Sequence, residues 1–140
     1  MTILVEAKSP FMIPAIEEFT GNFGGEIVLM SEYAEDKITL VVAADDDEWA
    51  QNFNHYFAPV ATAREIKPPE GHALVAVDAD TAYFGGCFGQ FLKERGGVVE
   101  YESAGDAYVA VVCVPQKDAD SWVSDFGANF GGIAKCRVFH

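Results

Sequence analysis

Apolar side chains recur every third or fourth position in four stretches of this chain, and these stretches alternate with runs of consecutive aliphatic residues. Two of the stretches share one spacing, Trp-x3-Phe-x3-Phe, which begins at Trp49 and again at Trp122. Side chains four residues apart lie on the same face of a helix, so each stretch predicts an amphipathic helix that buries three aromatic rings. The offset of 73 positions from the first tryptophan to the second indicates an internal repeat.

The first repeat is predicted to contain four strands and two helices. Its first helix carries an apolar stripe whose last member is Phe19. This helix stops at Gly24 and Gly25, and the second helix begins at Trp49. Ser9 provides a cap for the first helix, and Pro14 favours a helix that starts near Ile13, because proline is tolerated only in a first turn. Apolar and β-branched runs predict strands at 3–5, 26–31, 37–43 and 60–66, with a hairpin turn at 33–36.

The second repeat follows the same order. Phe84, Phe88 and Phe91 give its first helix an aromatic stripe, and Gly96 and Gly97 end that helix 72 residues after Gly24 and Gly25. The second helix begins near Trp122. Apolar runs predict its strands at 74–77, 98–102, 108–114 and 133–139.

Each repeat thus has the order βαββαβ. Right-handed crossovers place both helices on one face of a four-stranded antiparallel sheet. The predicted fold is α+β, with two tandem βαββαβ ferredoxin-like repeats, 1–66 and 73–140, joined by a linker at 67–72 that contains two prolines and a glycine. The apolar central strands favour coverage of both sheet faces, and stacking of the two sheets face to face or joining edge to edge both remain open.

The first hairpin resembles a known family. Residues 25–43 contain Gly25, a Ser-x-Tyr step from Ser31 to Tyr33, and alternating aliphatic residues from Ile38 onward. This pattern is similar to the hairpin in the small C-terminal domain of Impact-type (YigZ) proteins. The resemblance implies a ferredoxin-like fold and a role in binding rather than catalysis, and it implies no functional residue here.

Charge narrows the classes of partner. The chain has a formal net charge of −13; residues 1–70 contribute −9 and residues 71–140 contribute −4. Nucleic-acid binding is not expected, because it depends on lysine and arginine. A basic protein, a small molecule and a second copy of the chain, as a homodimer, remain compatible partners. The residues Asp45, Asp46, Asp47 and Glu48 crowd one helix start beyond what capping needs, whereas the compared stretch 116–118 is nearly neutral, and they are the predicted protein-partner site.

No membrane association, metal or cofactor is predicted. The chain has no apolar run of the roughly 20 residues that span a bilayer, and no basic stretch precedes its first apolar run, so the expected location is the cytoplasm. Its three cysteines, Cys87, Cys113 and Cys136, lack the spacing of a zinc site or disulfide framework and are expected to be free thiols.

A glycine-rich stretch is the candidate small-ligand site. Glycines after a strand can approach a ligand closely, and here they alternate with aromatic residues, which predicts a groove between the repeats. Close packing of this helix on its neighbour is the alternative explanation for the glycines. The residues in question are Phe84, Gly85, Gly86, Phe88 and Gly89.

Two functional classes follow from this pattern. The first is a non-enzymatic, acidic binding or regulatory module that recognises a protein or a small ligand. The alternative is a small enzyme that uses Cys87 or one of the histidines, His55, His72 and His140, in the groove between the repeats, because a helix start lowers the pKa of a thiol. No acid–base partner is visible beside Cys87 in the sequence, so no catalytic residue is assigned.

Overall fold

A computed structural model describes residues 1–32 and 35–139. The turn residues Tyr33 and Ala34, and His140 at the end of the chain, lie outside the described residues. The first half of the chain forms β1 (Thr2–Ala7), α1 (Ile13–Asn22), β2 (Gly25–Met30), β3 (Ile38–Ala44), α2 (Trp49–Phe57) and β4 (Ala61–Ile66). The second half forms β5 (His72–Ala79), α3 (Phe84–Arg95), β6 (Val98–Ala104), β7 (Tyr108–Pro115), α4 (Ala119–Phe130) and β8 (Ala134–Phe139).

The chain divides into two compact units, Met1–Lys67 and Pro68–His140. The sheet of the first unit has the order β2-β3-β1-β4, and that of the second has the order β6-β7-β5-β8. All neighbouring strands are antiparallel. This order belongs to the ferredoxin-like arrangement, so the predicted fold of two tandem βαββαβ repeats is confirmed. Strand β5 begins at His72, which the sequence analysis assigned to the linker.

One face of each sheet carries the two helices of its unit. In the first unit, Phe19 of α1 and Trp49 and Phe53 of α2 pack against inward-facing residues of β1 and β3. In the second unit, the aromatic stripes of α3 and α4 pack in the same way against β5 and β7. The stripes predicted from the helical period are therefore the core-facing sides of all four helices. Their members with little or no exposure are Ile16, Phe19, Trp49, Phe53, Phe84, Phe88, Phe91, Trp122 and Phe126.

The opposite face of each central strand is buried as well. Leu4 and Val41 are nearly inaccessible in the first unit, as are Leu74 and Val111 in the second. These side chains alternate along their strands with those that contact the helices, because successive residues of a strand point to opposite faces. The nearly continuous apolar runs of the central strands in the sequence reflect this burial on both faces.

The helix boundaries follow from local chemistry. The Ser9 side chain accepts a hydrogen bond of 3.2 Å from the amide of Phe11, which opens a short 3₁₀ turn at Pro10–Met12. Helix α1 then begins at Ile13, which leaves Pro14 in the first turn. Beyond the ends of α1 and α3, Gly24 and Gly96 have φ values of +74° and +84°. Glycine adopts this conformation without steric cost, so the paired glycines end the first helix of each repeat.

The two repeat tryptophans differ in one hydrogen bond. Trp122 donates from Nε1 to the carbonyl oxygen of Gly96 at 3.0 Å. The equivalent carbonyl in the first unit, that of Gly24, accepts the amide of Asp45 at 3.0 Å instead. Within the described residues, the buried Nε1 of Trp49 has no hydrogen-bond partner. A buried donor without a partner destabilises a fold by about 1–3 kcal/mol.

This difference predicts unequal effects of one substitution at equivalent positions. Trp122→Phe removes a hydrogen bond together with ring volume, whereas Trp49→Phe removes ring volume and an unsatisfied donor. We expect Trp122→Phe to lower the free energy of unfolding by about 1 kcal/mol more than Trp49→Phe does. Urea unfolding followed by circular dichroism measures both, since each variant loses a fluorescent ring. Equal losses, or a larger loss for Trp49→Phe, would contradict the assignment.

Candidate functional site

The predicted small-ligand residues lie on α3. Phe84 and Phe88 are buried in the core of the second unit, whereas Gly86 is exposed. A methyl group added at Gly85 would lie 3.3 Å from a ring carbon of Tyr108, so this glycine allows the helix to approach the sheet closely. Added methyl groups at Gly86 and Gly89 would meet nothing within 4 Å. Close packing thus explains Gly85, and a ligand role for the five residues stays a prediction.

Tyr108 makes a polar contact inside this unit. Its hydroxyl donates a hydrogen bond of 2.5 Å to Glu102 on the neighbouring strand β6. Burial raises the pKa of Tyr108, and the hydrogen bond and the negative charge of Glu102 raise it further. The hydroxyl therefore stays protonated at neutral pH and acts as a fixed donor. The ring that packs under Gly85 is held in place by this bond.

In the described part of the chain, no hydrogen bond joins the residues of the predicted enzyme alternative. Cys87 is an exposed free thiol on α3, and no hydrogen bond links it to a histidine among residues 1–32 and 35–139. His55 is exposed on α2, and His72 lies 3.1 Å from the carbonyl oxygen of Glu70. Burial raises the pKa of Cys113, with an added contribution from the charge of Glu100, and burial alone raises that of Cys136. The thiols of Cys113 and Cys136 are therefore protonated at neutral pH.

The predicted partner-binding residues form an exposed segment before α2. Asp45, Asp46, Asp47 and Glu48 all have exposed side chains. Of the four carboxylates, that of Asp46 serves the helix start, since it accepts the amide of Glu48 at 2.8 Å. We call residues 45–48 the acidic segment. The spacing of Trp49 and Trp122 makes its equivalent in the second unit 118–121, which carries two acidic residues, so the comparison with 116–118 was misaligned.

An aromatic groove lies between α1 and α2 within the first unit. Its volume is about 340 Å³. One wall is a side of α1, where residues recur at helical spacing: Ala15, Glu18, Phe19 and Asn22. The lining is completed by Phe23, Tyr56 and Phe57. This size suits one large side chain of a partner or a small molecule. The sequence analysis did not single out these residues as a site.

Two of the lining rings are exposed. Phe23 is 40% exposed and Tyr56 is 65% exposed, and their ring centroids lie 6.1 Å apart at an angle of 51°. Phe19 stacks on Phe23 with centroids 4.3 Å apart and also contacts Tyr56, which fixes both rings against the core. The groove therefore presents aromatic surface that is already ordered by packing.

The second repeat shows which of these residues the fold requires. The 72-residue spacing of the glycine pairs makes Phe91 the equivalent of Phe19, and the 73-residue spacing of the tryptophans makes Phe130 the equivalent of Phe57. These core positions are aromatic in both repeats. By the same spacings, the exposed Phe23 and Tyr56 correspond to Arg95 and Asn129.

The fold tolerates polar residues at the two exposed positions of the groove. In the second unit, Nε of Arg95 lies 3.3 Å from a carboxylate oxygen of Asp125, and the side-chain amide of Asn129 donates to the carbonyl oxygen of Asp125. A ferredoxin-like unit therefore folds without an aromatic residue at either position. The exposed rings of Phe23 and Tyr56 are additions specific to the first unit.

The groove and the acidic segment are neighbours. Phe23 is followed by Gly24, whose carbonyl oxygen accepts the amide of Asp45. A methyl group added at Gly24 would lie 3.4 Å from Oδ2 of Asp45, so the carboxylate lies directly beside this turn. Glu18 adds a further carboxylate to the groove itself. Residues 1–67 contain 12 acidic and 4 basic residues, so the aromatic surface lies in a strongly negative unit.

A smaller cavity of about 120 Å³ lies in the second unit, where β5 ends beside the start of β8. Asp78, Asp80 and Lys135 give it charged groups of both signs, and the backbone of 131–134 completes it. Asp78 lies directly opposite Lys135 in the strand register. Because the ammonium group partly offsets the carboxylates, this cavity lacks the one-sided charge of the groove in the first unit. In the described part of the chain, no three acidic, histidine or cysteine residues form a metal-binding group.

Comparisons with known proteins find similar solved structures only at low sequence identity. No family model matches the chain, and no curated protein matches it in sequence. The chain is similar to the ligand-free regulatory subunit of aspartate kinase from Thermus thermophilus, with 14% identity, coverage of 92% of this chain and 93% of that one, and a TM-score of 0.41. It is also similar to the small subunit of acetolactate synthase from Thermotoga maritima, with 8% identity, coverage of 99% and 94%, and a TM-score of 0.41.

A third similar structure is a Galdieria sulphuraria protein, with 14% identity, coverage of 98% of this chain and 95% of that one, and a TM-score of 0.36. Neither the aspartate kinase subunit nor the acetolactate synthase subunit is named as an Impact-type protein. Of what the resemblance to Impact-type proteins implied, the ferredoxin-like fold is confirmed, and the sheet order shows it directly. In the described part of the chain, no helix has both the length and the apolar character that crossing a membrane requires.

Proposed function

We propose that the chain is a non-enzymatic binding module whose first unit recognises a basic segment of a protein partner. The observation that carries this proposal is the aromatic groove that lies beside the acidic segment. Aromatic residues are enriched at protein interfaces because they bury large areas with little loss of side-chain entropy. Here two such rings, Phe23 and Tyr56, stay exposed although the repeat fold does not need them.

Charge determines the kind of partner. Within Met1–Lys67 the acidic residues outnumber the basic ones three to one, and the acidic segment is fully accessible. A basic partner is attracted to such a surface over about 10 Å at moderate salt, which speeds encounter. An acidic partner, or the phosphate backbone of a nucleic acid, is repelled. The groove then supplies the desolvated contact that long-range attraction alone lacks.

The acidic segment predicts a charge-dependent affinity. We expect the variant Asp46→Asn, Asp47→Asn, Glu48→Gln to bind its partner at least about tenfold more weakly at low salt, because three attractive charges are lost. We expect this difference to shrink in 0.5 M salt, where screening acts over a few ångströms. Both measurements use isothermal titration calorimetry with the purified partner.

Identification of the partner precedes that titration. A photo-crosslinking residue in place of Tyr56 captures the partner from a cytoplasmic extract, the predicted location, and mass spectrometry identifies it; the same residue in place of the exposed Tyr83 is the control. A matched variant, Glu94→Gln, Asp118→Asn, Asp120→Asn, removes three charges from the second unit. Equal weakening by both triple variants, or a captured partner whose contact region is acidic, would contradict the proposal.

A further inference from the structure

The exposed rings of the groove lie among carboxylates, and this combination selects a cation rather than a neutral apolar group. Glu18 lines the groove, and Asp45 lies beside the turn that follows Phe23. The face of an aromatic ring carries negative charge density, so it attracts a cation placed within about 6 Å of its centre. A neutral apolar side chain would gain nothing from the carboxylates. A cationic side chain interacts favourably with both.

The shape of the groove favours one cationic side chain over the other. The guanidinium group of arginine is planar, stacks on aromatic faces and is more weakly hydrated than the ammonium group of lysine. It also offers parallel donors that match a carboxylate such as Glu18. In the groove, Phe23 and Tyr56 present two ring surfaces that meet at 51°. A flat group with apolar faces and polar edges fits this arrangement, whereas a compact ammonium group contacts one ring at a time.

The second unit contains a guanidinium group at the place equivalent to the groove. At the position equivalent to Phe23 it places its own arginine, Arg95, which bonds to Asp125 on the adjacent helix α4. A guanidinium group is thus accommodated on this helical layer of the fold. In the first unit, the equivalent positions carry the aromatic ring of Phe23 and the neutral Asn52.

We propose that the aromatic groove of the first unit binds an arginine side chain of the basic partner segment, on the exposed surfaces of Phe23 and Tyr56 and against Glu18. This inference rests on the proposed function and adds the identity of the side chain that is recognised. The acidic segment supplies general attraction to positive charge, and the groove supplies selectivity for guanidinium.

A peptide series separates the general attraction to positive charge from the selectivity of the groove for guanidinium. Three synthetic peptides carry the same four lysines around a central residue, which is arginine, lysine or citrulline; citrulline has the shape of arginine without its charge. Titrations of the isotope-labelled full chain are followed by two-dimensional nuclear magnetic resonance at low salt. We expect the arginine peptide to bind about tenfold more tightly than the citrulline peptide and to shift the amides of Asn22, Phe23 and Tyr56.

Variants connect the selectivity to the groove. We expect Tyr56→Ala and Glu18→Gln to reduce the preference for arginine, and Tyr83→Ala, which removes an exposed ring of the second unit, to leave it unchanged. Equal affinity for the arginine and lysine peptides, equal affinity for the arginine and citrulline peptides, or a preference for arginine that persists in Tyr56→Ala overturns the inference. If all three peptides then still depend on the acidic segment, the proposed function stands alone. Binding by none of them overturns both.

Discussion

Replacement of Phe53 by alanine is expected to lower the free energy of unfolding of the first unit by about 3–5 kcal/mol. Phe53 has no exposed surface, and its ring lies 4.5 Å from Phe57 and 5.4 Å from both Trp49 and Phe19, measured between ring centroids. Loss of the ring removes its transfer free energy and leaves a cavity among aromatic residues that cannot easily close. A domain has roughly 5–15 kcal/mol of stability in total, so the effect is severe.

Phe126→Ala is expected to have an equal effect on the second unit. Phe126 is nearly inaccessible and contacts the rings of Trp122 and Phe130 at 5.6 Å and 5.1 Å, as well as three rings of α3. Phe11→Ala is the matched control, because that ring is 90% exposed. Urea unfolding followed by tryptophan fluorescence is suitable, since each unit contains one tryptophan. Free energies of unfolding of both core variants that equal that of Phe11→Ala would contradict the equivalence of the repeats.

The element order of both repeats could be predicted because it depends on strictly local periods. A four-residue aromatic spacing fixes which side of α2 or α4 is buried, and paired glycines mark the ends of α1 and α3. Strand burial on both faces was visible in the continuous aliphatic runs. Two irregularities were not visible. The register shifts between Ile27 and Leu29 and between Val99 and Tyr101, at equivalent places in the two repeats. Such a bulge adds one residue to a strand without a compositional signal.

The aromatic groove was missed for a different reason. Its exposed rings do not belong to either apolar stripe: Phe23 follows the end of α1, and Tyr56 precedes the stripe residue Phe57. Their proximity depends on how two helices pack on one sheet, which the pattern of a single helix does not contain. A signal was nevertheless available, since alignment of the repeats places aromatic residues opposite Arg95 and Asn129. Differences between repeats separate what the fold requires from what one copy adds.

The same comparison clarifies the glycine-rich stretch of α3. The alternation of glycine and phenylalanine there was compatible both with close packing of the helix on its neighbour and with a ligand groove. An aromatic stripe shows that one side of a helix is covered, and in α3 the side of Phe84 and Phe88 is covered by the core of its own unit. Gly85 has a packing role against Tyr108, whereas Gly86 and Gly89 have open space. A ligand role for the five residues stays a prediction.

Gly97→Ala is expected to destabilise the second unit by about 2–4 kcal/mol, because two costs combine. Gly97 has a φ of +127°, a conformation that costs other residues about 1–3 kcal/mol. An added methyl group would also lie 2.9 Å from Cδ2 of Leu92 and 3.0 Å from Cγ1 of Val112, and overpacking of this kind costs about 1–3 kcal/mol where the core does not yield. Urea unfolding of the full chain measures the loss.

Three other glycines of the chain separate the two costs. Gly96 has a φ of +84° and open space around it. The stability lost in Gly96→Ala therefore reports the cost of the backbone conformation alone. Gly25→Ala, at the equivalent position in the first unit, would meet Thr20, Trp49 and Val42 at 3.1–3.3 Å without a positive φ, so it shows crowding alone. Gly86→Ala lies in open space within α3 and is expected to stabilise the unit by about 0.5–1 kcal/mol. A Gly97→Ala variant no less stable than Gly96→Ala would show that Leu92 and Val112 move aside, and that close packing does not require glycine at the start of β6.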